Sequence, residues 1–161
     1  MIMARSLLLI LFVASSCLTL KYQAQKVWLF SKTTYMGNAP ADRDGKALNA
    51  YSETLSCFLE TGRNSENPEW QTAWYKSVKY AVNVLQVSQD SVIIGRAKNA
   101  RNIIAIKPRQ GMKLIQLQLT PQGDFKAPKA AGFVLEGVLG KKTVYLTSNE
   151  LPVELAPVLA Q

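Results

Sequence analysis

The chain has 161 residues, 48% of them hydrophobic and 19% charged, the proportions of one folded domain and not of a disordered segment. It carries a net charge of +8 and no histidine, which removes Ser-His and Cys-His catalysis, imidazole acid–base work and most transition-metal sites. The two cysteines, Cys17 and Cys57, are split between an apolar leader and the body, so the body alone holds no internal disulfide.

Residues 6–20, SLLLILFVASSCLTL, form an apolar run behind a short head whose one cation is Arg5, the layout of a secretory signal. The run is shorter than the ~20 apolar residues that span a bilayer as a helix. Three fates are open to it. The chain is cleaved after the small residues Ala14 and Ser16 or near Ala24, or the segment stays as an anchor. Alternatively Cys17 is lipidated, because Ala14-Ser15-Ser16-Cys17 approximates a bacterial lipoprotein cleavage box. Each of these exports the chain. The expected division is 1–24 as signal peptide or N-terminal membrane anchor, 25–150 as a single domain and 151–161 as an irregular tail.

Residues 26–31, KVWLFS, are β-branched and aromatic enough for a first strand. A loop rich in Gly, Asn, Pro and Asp follows to Gly45. Leu48, Tyr51, Leu55 and Phe58 recur at helical spacing, and Gly62 stands where a C-terminal cap belongs, so an amphipathic helix is expected over 46–61. A second helix is announced by Asn67, Pro68 and Glu69 as cap, first turn and dipole complement. Its stripe is Trp70, Ala73, Trp74, Ser77, Val78, Ala81, Val82 and Leu85; the β-branched residues from Val82 onward leave a strand over 80–87 as the alternative. Beyond Asp90, residues 91–97, 101–107, 112–119, 132–139 and 143–147 are short, β-rich and separated by turn chemistry, including Pro108-Arg109-Gln110-Gly111, Pro121-Gln122-Gly123-Asp124 and Gly140-Lys141. Short links of that kind predict antiparallel neighbours.

The predicted fold class is therefore α+β: an early strand, two amphipathic helices, then a five-stranded antiparallel meander. In element order alone this resembles cystatin-like and nuclear-transport-factor-like folds, and no residue motif accompanies the resemblance.

Arg96, Lys98, Arg101, Lys107, Arg109 and Lys113 fall in a stretch with no acidic residue. They are candidates for an anionic partner such as lipid headgroups. The same stretch lacks aromatics for base stacking, which speaks against nucleic acid. Solvated cations at strand ends are the plainer reading of the set. Trp70 and Trp74 are candidate interface anchors; helical spacing makes core packing the better reading for Trp74, and Trp70, in the first turn, is the one expected to be exposed. Cys57, flanked by apolar residues, reads as inert core. No catalytic constellation, metal site or cofactor motif emerges; a Ser–Lys hydrolase is the remote exception, because it needs no histidine. The expectation is an exported, membrane-associated, non-catalytic binding or structural protein, periplasmic or extracellular. Its expected partner is a protein, as an accessory subunit of a bacterial envelope assembly, and the alternative is an anionic surface met through 96–113.

Overall fold

The computed structural model describes residues 20–22, 24, 26–36, 43, 51–124 and 132–160. Among them there is no helix. Eleven strands account for the architecture: β1 (Leu20–Lys21), β2 (Lys26–Met36), β3 (Tyr51–Gly62), β4 (Glu69–Tyr75), β5 (Val78–Ser88), β6 (Val92–Arg96), β7 (Ile103–Ile106), β8 (Met112–Asp124), β9 (Phe133–Leu139), β10 (Lys142–Ser148) and β11 (Val153–Ala160). Nine form one mixed sheet in the order β1-β10-β9-β4-β5-β8-β3-β2-β11, and β6 and β7 form a separate hairpin. The α+β expectation is thus corrected to all-β, and with it the resemblance in element order.

Both expected helices are strands, for different reasons. On β3, Leu55, Cys57 and Leu59 point to one face while Phe58 and Glu60 point to the other, and all five are buried. A central strand covered on both sides loses its polar alternation, and what remains imitates a helical stripe. The second expected helix is the β4–β5 hairpin. Its two-residue turn, Lys76-Ser77, has φ of 48° and 66°, the geometry of a type I′ turn built without the usual Gly or Asn.

The meander is corrected as well. Its strands lie close to the expected positions, but only β6–β7 and β9–β10 are hairpin neighbours. β8 leaves β7 and inserts between β5 and β3, and β9 pairs β4 and β10. The tail is not irregular: β11 runs parallel to β2, with a register shift between Leu155 and Val158 that accommodates Pro157.

The large sheet curls over its own face. Tyr75 and Lys76, at the end of β4, line a cleft with Ser31 of β2 and Glu154 of β11. Those strands stand four and five places away in the sheet, and flat pleating would separate them by ~19 Å or more. Register explains the core this creates. One row across β2, β3, β8 and β5 reads Leu29, Cys57, Leu117, Val84, and the next reads Val27, Leu59, Ile115, Val87. Phe133, Leu135, Val144, Leu146, Trp70 and Ala73 from β9, β10 and β4 belong to the same buried cluster. On the outer face, the β6–β7 hairpin lays Val92, Ile94, Ile104 and Ile106 over Phe30, Phe58 and Leu114, with Phe30 and Phe58 edge to face at 5.8 Å.

Candidate binding edge and the basic region

The six cations of the basic region are not one patch. Arg109, itself exposed, is engaged by a buried carboxylate: its Nη2 and Nε lie 2.7 Å and 2.9 Å from Glu60 Oε1, and its backbone N–H donates to Oε2 at 2.9 Å. Glu60 is 1% exposed. Burial alone would raise its carboxyl, but the Arg109 hydrogen bonds and the charges of Arg109 and Lys26 outweigh that and hold it below its ordinary value. Lys98 fastens the tip of the hairpin to β11: its Nζ lies 2.8 Å from Glu154 Oε2 and its backbone N–H donates to the Glu154 carbonyl. Lys113 Nζ donates to the Ser65 carbonyl at 3.0 Å. Arg96, Arg101 and Lys107 are exposed, without an acidic partner among the described residues. Arg96 and Arg101 flank the β6–β7 turn, whereas Lys107 follows β7 at the other end of the hairpin.

The candidate tryptophans separate too. Trp70 is 4% exposed, edge to face with Tyr22 at 5.3 Å, and packed on Gly137, where a Cβ would come within 2.7 Å of its ring. It is core. Trp74 is half-buried on β4. Cys57 is fully buried and its thiol is pushed up by desolvation, which leaves it without thiolate character. Cys17 and residues 1–19 lie outside the described residues, whereas Leu20 and Lys21, at the end of the expected leader, form β1 on β10. No group of three or more His, Cys, Asp or Glu able to hold a metal is found among the described residues.

The feature that sequence reasoning missed is an edge. β4 pairs with β5 only over Thr72–Tyr75, opposite residues 78–81. Beyond Thr72 the register of β4 on β9 shifts, and Trp70 and Glu69 pair with β9 alone. β5 continues for seven more residues, bonded to β8 on one side; on its other side, residues 82–88 have no strand neighbour among the described residues. Their side chains record the gap. Val84 and Val87 are 51% and 53% exposed, although their register partners Leu117 and Ile115 are 0% and 2%. Leu85, the extra residue of a β-bulge, is exposed as well. No charged residue lies between Lys79 and Asp90, so the edge has none of the Lys, Pro or inward-charge protection with which sheets block pairing. The uncharged run itself was the available signal.

Comparison of the chain with models of known families, with characterised proteins and with solved structures finds no match in any of the three.

Proposed function

We propose that this is an exported, non-catalytic binding protein, an accessory subunit of an envelope assembly, that holds a polypeptide partner by strand addition along β5. The observation that carries the reading is the uncharged stretch 82–88, paired on one side only among the described residues, with Val84 and Val87 half-exposed beside a buried core. An added strand would satisfy the outward backbone groups and cover those side chains in one step, the way edge strands recruit extended peptides. The apolar leader supplies the export and the nearness to a membrane.

The test is a photo-crosslinking amino acid at position 85, introduced in the native cell, with position 141 on the β9–β10 turn as control. A defined adduct from position 85 and none from 141 supports strand addition. Equal yields from both positions, or none from either, would contradict it.

A second reading keeps the anionic surface as partner, favoured by the exposure of Arg96 and Arg101 at one end of the hairpin. Vesicles rich in anionic lipid should then bind with a steep salt dependence that Arg96→Ala with Arg101→Ala flattens. Binding with the same salt slope in the double variant would remove this reading.

A further inference from the structure

We infer that the strand added to β5 is the β5 strand of a second copy of this chain, paired antiparallel about a two-fold axis perpendicular to the sheet; the inference rests on the reading of β5 as the binding edge. Such an axis keeps each face of the sheet on its own side, so a residue must lie opposite one that points to the same face. In a regular strand, faces alternate by residue number. The bulge at Leu85 breaks that alternation: Val82 and Val84 point to the inner face before it and Val87 after it, while Asn83 and Gln86 point outward.

A two-fold centred between Val84 and Leu85 therefore matches the faces on either side of the bulge. It sets Val82 opposite Val87 of the second copy on the core face and Asn83 opposite Gln86 on the outer face. Val84 and the exposed, bulged Leu85, both apolar, meet at the centre. This six-residue ladder lies within the part of β5 that β4 leaves free, because Ala81 is already paired with Thr72. It contains no charge, so the symmetric register brings no like charges together. A heterologous strand needs no such symmetry. Pairing joins the β2-β3-β8-β5 layers of two copies into one continuous sheet.

The experiment uses the chain as recovered from its native cell, by light scattering coupled to size exclusion over a dilution series. The expected result is a mass of two chains that falls to one on dilution. Val84→Lys with Val87→Lys should weaken association at least tenfold while the β-sheet circular dichroism is retained; if that pair unfolds the chain, Leu85→Asp on the exposed bulge serves instead. For the register, chains carrying Asn83→Cys and Gln86→Cys are mixed under mild oxidation. Disulfides between unlike chains should exceed those from either variant alone, and the native thiol does not compete because Cys57 is fully buried. A monomer at every concentration overturns the inference, as does a dimer indifferent to these substitutions or without the mixed disulfide. A monomer that still gives the position-85 adduct with another protein overturns self-pairing and leaves strand addition standing. A monomer with no adduct overturns both.

Discussion

Replacing Arg109 by Ala isolates the ion pair, exposed at Arg109 and buried at Glu60, that joins β3 to the turn before β8. The guanidinium is itself 62% exposed, whereas the Glu60 side chain is 2% exposed, so the substitution strands a buried carboxylate while losing little buried surface. Removal of one partner of a buried pair costs about 3–5 kcal/mol. The lower end applies, about 3 kcal/mol, because the backbone N–H of residue 109 and the charge of Lys26 remain beside Glu60. The pH dependence is the sharper test. In the native protein the Glu60 carboxyl lies below its unfolded value; its contribution is fully present above the unfolded value and is lost as pH falls through the folded one. Without the guanidinium, burial is opposed only by the backbone N–H of residue 109 and the charge of Lys26, so the folded value moves up and the stabilisation gained above the carboxylate range shrinks. The stability of the variant therefore rises less than that of the native protein as pH goes from about 4 towards 7. Urea titrations at several pH values measure both effects. The deficit of Arg109→Ala should be about 3 kcal/mol at neutral pH and shrink to about 1 kcal/mol, the worth of the lost hydrogen bonds, below the carboxylate range. A pH-independent deficit, or one below about 0.5 kcal/mol at neutral pH, would refute the reasoning.

Three further outcomes follow from the same structure. Gly137→Ala should destabilise by about 1–3 kcal/mol in chemical denaturation and shift the Trp70 fluorescence, because the new methyl meets the indole and the Glu69 carbonyl; an unchanged midpoint would contradict the close packing. Ser77→Gly should raise the unfolding free energy by about 1 kcal/mol, since the turn holds Ser77 at φ 66°; a loss of stability would mean that the side chain contributes more than the backbone conformation costs. Cys57 should resist maleimide in the folded chain and react once urea unfolds it, given its burial and raised thiol. Labelling of the folded protein at the unfolded rate would place the thiol outside the core.

Strand positions after Asp90 were legible in the sequence because their turns carry explicit chemistry. Gly140 adopts φ 61° between paired Leu139 and Lys142, as expected for a II′ turn with glycine first. The β4–β5 turn carries no such mark, and Lys76-Ser77 passes for helix interior. β3 was hidden by its own centrality, since burial on both faces erased the period of two. Partner strands were the harder matter. The link 107–111 is short enough for a hairpin, yet β7 and β8 enter different sheets, because Val92, Ile104 and Ile106 gain more by covering Phe30 and Phe58 than by extending the large sheet. The acid-free character of 96–113 was visible, but not that Arg109 and Lys98 are engaged by Glu60 and Glu154, acids 49 and 56 residues distant in sequence. The edge of β5 was invisible in the sequence, because it exists only where β4 turns away to β9.

Amide hydrogen exchange across residues 82–88, measured on the chain in its native assembly and on the Val84→Lys, Val87→Lys variant, tests the central claim most directly. The amides that point away from β8 have no described strand to bond; strand addition expects them to be protected in the native assembly and to exchange rapidly in the variant. Rapid exchange of those amides in both proteins would contradict it, leaving β5 a bare edge that binds nothing.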